Sequence, residues 1–443
     1  RWKADDHFRR RLRDRGKTLI NAIFMHIFYE CKFLMFQIHN ITIIVLVLLA
    51  MDFQGKSKYN NYYINKHGRE LHMALEMQEE QYLAFYKDSM LGYSKAYQKY
   101  VIRQLKQDGR ITDEDQCAVT DKPNILVVEK HQDDQSIIEA MAQKTDYAVN
   151  FEYLEFVKLY KYSVPFFYST PAEAANLNEN IATACALFDP DAYTPNYYLG
   201  RSIGDSTPFF LNKGDEVLIK FVLQKAFLRP EDYQPINYRY PVVIYINPQL
   251  SVLEIRFDAV RFDPQFGKES YEKLLNDCLE WIKASLKVEL FLCDGAKTID
   301  VVNSKKDKSI KIYKQMMELG SGGSAELTAY GERDLVMPFI GEIRDLIDEN
   351  EELFSQSTEI KELLLNYLNE KEKTANYPYI YIKRVKPVET DSYIFKITFD
   401  YFLGKFTTLQ HQTGTCRDLG MERMNNAIKY LSESGSFTKG DPA

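Results

Sequence analysis

The sequence carries none of the short motifs that announce nucleotide, hydrolase or zinc chemistry. There is no G-x-x-x-x-G-K-[ST] phosphate loop, no G-x-G-x-x-G, no G-x-S-x-G and no H-E-x-x-H. The nearest approach, Gly320-Ser321-Gly322-Gly323-Ser324, lacks the following lysine and leads into AELTAY. It reads as a flexible loop or a helix stop, because a phosphate cradle needs converging backbone N–H groups and a helix terminus. Histidine is scarce. Of seven, only His131 and His411 lie beyond residue 72, which excludes a multi-histidine metal cage in the body of the chain. A Ser or Cys nucleophile there must use one of these two or a non-histidine base. The six cysteines, at 31, 117, 185, 278, 293 and 416, form no C-x-x-C unit. Zinc-ribbon and disulfide-scaffold architectures are thereby excluded, and free, buried thiols in a reducing, cytoplasmic compartment are expected.

What is abundant is aromatic. Tyr (31) and Phe (27) bring the aromatic share of the 443 residues to 14%, while 45% hydrophobic and 27% charged residues are ordinary for a globular chain. The net charge of −7 is unevenly spread: residues 1–17 hold eight basic and three acidic side chains, a local +5, which leaves −12 for the rest. An acidic body has no general attraction to a phosphate backbone, although a local basic groove remains open to it.

Residues 1–50 stand apart. Phe33 to Ala50 reads FLMFQIHNITIIVLVLLA, and a helix from Phe33 to Phe53 just reaches across a bilayer. Three readings compete: a membrane anchor with a cytoplasmic N-terminus, a buried or interfacial helix that accommodates His39 and Asn40, or a leader outside the mature protein, with Met51 opening the folding unit. A membrane partner follows only if 33–53 is a genuine anchor.

Further along, the patterning predicts a helical region over 51–118, a small α/β region with an irregular, proline-rich connection over 119–208, and an α+β main domain over 209–443. Strands are expected at Asn124–Lys130, Glu216–Phe227, Pro241–Asn247, Leu250–Phe262, Val288–Cys293, Tyr379–Val385 and Tyr393–Phe402. Helices are expected at Gln135–Lys144, Ser270–Leu286, 308–319, 336–349, 358–371 and 420–432, with Ile360, Leu363, Leu364 and Tyr367 facing inward. The mixed order without a sustained βα repeat predicts α+β, with a mixed or antiparallel sheet packed by amphipathic helices behind a helical N-terminal region.

Three residue sets carry candidate chemistry. Glu129, His131, Asp133 and Asp134 end an apolar strand and offer an acid–base or magnesium cluster, although Glu129 and Lys130 are adjacent and so point to opposite faces; the simpler reading is a solvated strand-to-helix turn in which Asp133 or Asp134 caps the helix. Glu254, Asp258 and Asp263 offer carboxylates for a metal, against the simpler reading of a solvated strand face with Arg256 between them. Tyr379, Tyr381, Lys383, Arg384 and Lys386, with Lys396 nearby, combine charge for a backbone with rings for base stacking. The leading expectation is a recognition or regulatory protein that binds a protein or a single-stranded nucleic acid without a cofactor. The alternative is a metal-dependent phosphodiester-cleaving enzyme.

Overall fold

A thirteen-stranded mixed sheet dominates the computed structural model. The described residues are 80 and 82–443, except 115–124, 130–131, 144, 170–175, 193–198, 229–234, 261–267, 296, 305–308, 319–322, 330–339, 375, 385, 387–391, 400–405 and 414–416. The expectations for residues 1–50 and for the part of the helical region 51–118 that precedes residue 80 fall outside them. No helix among the described residues is long and apolar enough to cross a membrane.

The chain opens with helices α1 (82–92) and α2 (Lys95–Gln107), then β1 (Ile111–Asp113) and β2 (Leu126–Val128), which pair separately in parallel. Next come α3 (Asp134–Ala142), α4 (Thr145–Val157), β3 (Tyr162–Ser169), α5 (Leu177–Ala184), β4 (Ala186–Leu187), β5 (Phe209–Asn212), β6 (Val217–Leu228), β7 (Pro235–Asn247) and β8 (Val252–Phe257). Helix α6 (Lys268–Trp281) runs into a π-turn, Ile282–Leu286, followed by β9 (Glu289–Asp294) and α7 (Thr298–Ser304). The remainder is β10 (Ile310–Glu318), β11 (Ser324–Thr328), α8 (Ile340–Glu349), α9 (Glu351–Ser355), α10 (Thr358–Thr374), β12 (Asn376–Arg384), β13 (Tyr393–Thr398), β14 (Thr408–Gln412), α11 (Glu422–Glu433) and β15 (Thr438–Pro442).

The strand order is β11-β10-β12-β13-β14-β3-β8-β7-β6-β5-β4, with β9 and β15 branching from β3. One edge of β3 is shared: β14 pairs Tyr162 and Ser163, and β9 pairs Phe166 to Ser169. Pro165 sits at this fork, where that edge changes partner and a missing N–H is tolerated. Strand β3 therefore replaces part of the irregular connection expected from the prolines of 163–208. The α+β class follows from the antiparallel ladders and the helices that cover them.

One face of the sheet is buried from β6 across to β10. Leu218, Val243, Tyr245 and Val252 at one end, and Ile380, Ile382, Phe395, Ile397 and Leu409 at the other, share a core with Val101, Ile138, Phe151, Met424 and Ile428 from the helices. On the opposite face, Phe221, Ile244, Ile255 and Phe257 pack with Leu274, Leu275, Cys278 and Ile282 of α6 and its π-turn, so α6 covers the β6–β8 half. Helix α4, apolar nearly all round as expected of an enclosed helix, also points Glu152 and Glu155 inward, three residues apart on one face.

Two expectations fail. Residues 308–319 form strand β10 rather than a helix, because Ile310 and Ile312 alternate with Lys311 and Tyr313 at period two. On α10, Ile360, Leu363 and Tyr367 are exposed, and the inward residue is Leu368.

Candidate nucleic-acid interface

The half of the sheet beyond α6 has the same outer face, and its side chains follow from strand alternation. On β12, Ile380 and Ile382 go to the core, so Tyr379, Tyr381 and Lys383 point outward. On β13, Tyr393, Phe395 and Ile397 go in, and Ile394 and Lys396 go out. On β14, Leu409 and His411 go in, and Gln410 and Gln412 go out. On β10 a register shift between Ile312 and Lys314 puts Lys314 opposite Tyr381.

The pairing lines these residues up in rungs perpendicular to the strands. One runs Lys314–Tyr381–Lys396–Gln410–Tyr162–Phe257, across β10, β12, β13, β14, β3 and β8. A second runs Lys311–Lys383–Ile394–Gln412. The Lys396 ammonium stands 3.6 Å from the Tyr379 ring centre and 5.7 Å from that of Tyr381. Lys314 is 5.5 Å from the Tyr381 ring. Tyr313 and Tyr379 both meet Tyr381 edge-on, at 5.7 and 5.8 Å. At the α6 end, the Tyr162 ring lies tilted 5.7 Å from that of Phe257 and meets Tyr271 edge-on at 6.3 Å, and Lys161 lies 5.4 Å from the Tyr162 ring.

Glu326 of β11 bounds the patch. It pairs with Lys314 at 2.7 Å and accepts from the Tyr379 hydroxyl. Hydrogen bonds from Lys314 and Tyr379 hold its carboxyl below the usual range. Partial burial, with Lys314 close by, lowers the Lys396 ammonium against the opposing pull of Glu326. Four lysines (311, 314, 383 and 396) and three tyrosines (313, 379 and 381) thus share one half-buried sheet face. Such a surface offers cations for phosphates beside ring planes for bases.

Of the sequence-predicted set, Tyr379, Tyr381 and Lys383 lie together on this face. Arg384 points the other way, its guanidinium 5.8 Å from the buried Tyr393 ring. Lys386 follows the strand, with its backbone N–H and C=O both bonded to the Ser392 hydroxyl. Lys311, Tyr313, Lys314 and Tyr162 were missed; the I-K-I-Y alternation of β10 was the available signal.

The other candidates fall elsewhere. Asp133 caps α3, accepting from Gln135 N (3.0 Å), Ser136 N (3.1 Å) and the Ser136 hydroxyl (2.7 Å). Those bonds, the hydroxyl foremost, lower its carboxyl. Asp134 opens the helix 4.0 Å from Lys99, Glu129 is exposed, and His131 lies outside the described residues. Glu254 and Asp258 do not meet: each has its own cationic partner. Glu254 is fully buried between the Ser163 hydroxyl (2.8 Å) and the Arg256 guanidinium (2.5 Å), so this strand face is buried rather than solvated. Asp258 pairs with Lys158, and Asp263 is outside the described residues. Among the described residues no three His, Cys, Asp or Glu side chains gather in a way that could hold a metal ion.

His411 does reach a hydroxyl, 3.1 Å from Ser163. The pair is sealed, however, with Ser163 at 0% and His411 at 6% exposure, and the hydroxyl donates to Glu254. Burial, with Arg256 and Arg423 nearby, pushes the imidazole down to about 3, which keeps it neutral. A sealed serine of this kind holds the core together and meets no substrate. The free cysteines 185, 278 and 293 are buried, and burial raises each thiol, Cys185 to about 12. They are protonated and poorly nucleophilic.

No family model matches this chain, and no curated protein does either.

Proposed function

We propose that the protein is a recognition module whose half-buried lysine–tyrosine sheet face binds single-stranded nucleic acid. The carrying observation is the rung Lys314–Tyr381–Lys396–Gln410, in which cations and rings alternate from strand to strand. Neighbouring strands lie about 4.8 Å apart, so the two lysines of the rung are spaced by roughly two strand widths with a ring between them. A single strand crossing the sheet perpendicular to β12 would meet charge and stacking surface in turn. Duplex is disfavoured as a ligand: the residues of the patch lie on the face of a many-stranded sheet rather than on a helix that could enter a groove, and the chain beyond residue 17 is acidic. The buried, free thiols support a reducing compartment such as the cytoplasm.

The test is fluorescence anisotropy of labelled oligo(dT) and oligo(U) with the full chain over a salt series. Salt-dependent binding that Lys396→Ala and Tyr381→Ala each weaken supports the proposal. Binding that neither variant alters, or no binding at low salt, overturns it.

A further inference from the structure

A second surface lies on α10 and has opposite chemistry. Ile360, Leu363 and Tyr367, at i, i+3 and i+7, are 54%, 69% and 54% exposed. At 100° per residue they fall within a 60° arc, so they form one stripe along two turns. The same helix is anchored from its other side: Leu368 is buried with Ile347 of α8 and Met317 of β10, and Leu364, Leu365, Ile343 and Tyr377 pack around them. The stripe is therefore not the helix's route into the core. Three exposed apolar residues in one stripe on an already seated helix make a candidate interaction surface.

Charge identifies what would cover it. On the helical wheel Glu359, Glu362 and Glu370 border the stripe on its outer side, and all three are exposed. Across residues 340–374 there are ten acidic and four basic side chains. Three of those bases are already engaged, Lys361 with Glu351 at 2.6 Å, Arg344 with Asn369 at 2.8 Å and Lys371 over the Tyr367 ring at 5.4 Å. A second copy of this face would set glutamates against glutamates, and an anionic lipid surface would be repelled in the same way. An apolar stripe with an acidic margin is complementary to a helix with an apolar stripe and a basic margin.

We infer that the α10 face docks a basic amphipathic helix of a partner protein, through Ile360, Leu363 and Tyr367 with Glu359, Glu362 and Glu370 as its charged rim. The probe is a synthetic 18-residue Lys/Leu peptide with helical periodicity, titrated into the full chain by calorimetry. A scrambled peptide of identical composition and a Glu/Leu counterpart serve as comparisons. The expected result is saturable one-to-one binding of the periodic Lys/Leu peptide alone, weakened at least tenfold by Leu363→Ser, and made less salt-sensitive by the triple change Glu359→Gln, Glu362→Gln, Glu370→Gln. Leu363 is exposed, so its variant keeps the fold, and circular dichroism checks this. Equal binding of the scrambled peptide, indifference to Leu363→Ser, or a concentration-dependent dimer that Leu363→Ser abolishes would each overturn the inference.

Discussion

The Lys396 ammonium sits 3.6 Å from the centre of the Tyr379 ring, on the outer face of a strand whose inner face is wholly core. This geometry divides the expected effects of substitution. Lys396→Ala removes one phosphate partner and should weaken oligo(dT) and oligo(U) alike, lowering the log–log salt slope by roughly 0.7. Tyr381→Ala removes a stacking plane and should cost about 1–3 kcal/mol with little change in slope. Arg384→Ala is the informative control. Its side chain turns to the opposite face, beside Tyr393, so binding should hold even though Arg384 neighbours Lys383 in sequence. Equal losses for Arg384→Ala and Lys396→Ala would mean that charge alone, and not the face, decides.

Much of the fold was legible because the strands are half-covered. In β13 the Tyr393, Phe395, Ile397 alternation specifies which side is core. Strand β8 is buried rather than solvated because its charges are satisfied internally: Glu254 pairs with Arg256 two residues along the same strand, and only the Ser163 hydroxyl, from β3, arrives from far along the chain, which the local pattern does not reveal. Where a helix is expected over 308–319 the chain forms strand β10, whose period-two pattern is broken by a register shift after Ile312, and that break hides Lys311 and Lys314 from the candidate patch. On α10 the periodicity alone points the outward stripe to the core because the helix has leucines on two sides, and only the contact of Leu368 with Ile347 says which one is seated.

A buried four-charge network ties α4 to the sheet. Lys220 donates to Glu152 and, at 3.0 Å, to Glu155; Arg239 donates to Glu152 and, at 2.9 Å, to Glu155. All four side chains are at most 4% exposed, and Tyr82 of α1 adds a bond to Glu152 at 2.8 Å. Removing one partner leaves an uncompensated buried charge, so Lys220→Met should destabilise by about 3–5 kcal/mol. Adding Glu155→Gln should recover part of that loss. Urea unfolding of the single and double variants checks this, and strictly additive losses would contradict the coupling.

Acid sensitivity should have two origins. Burial raises the Glu152 carboxyl, but Arg239 and Lys220 outweigh it and hold the group below its ordinary value. A depressed carboxylate stabilises the fold above its unfolded value, near 4.5, and that contribution is lost as pH falls below it. His411 acts at higher pH. Its folded value of about 3 lies below the unfolded 6.5, so between those limits the unfolded chain binds a proton that the folded chain refuses. Stability therefore declines as pH drops from 6.5, by on the order of a few kcal/mol. His411→Gln should flatten the urea midpoint between pH 6.5 and 5 and leave the steeper loss below 4.5. An unchanged profile in the variant would remove His411 from the account.

Lys158 makes the sharpest test of packing. Its ammonium lies 4.3, 5.3 and 4.5 Å from the ring centres of Tyr93, Tyr97 and Tyr160, and pairs with Asp258. Three rings and a carboxylate make an aromatic cage for an organic cation, here filled by the protein's own side chain. Burial first, and the Glu155 carboxylate next, push these phenols up, so the rings stay neutral and the cage holds one cation. Lys158→Ala removes the equivalent of an n-propylammonium ion and leaves Asp258 facing the emptied cage. The variant should lose about 3–5 kcal/mol. Millimolar n-propylammonium should then raise its Tm in a saturable way through the linkage of binding to folding, entering beside Asp258, whose side chain is 27% exposed. n-Propanol, of the same shape but uncharged, should not rescue it, and the wild-type chain should respond to neither. Equal rescue by the alcohol would show that the cage fills a void and does not recognise charge.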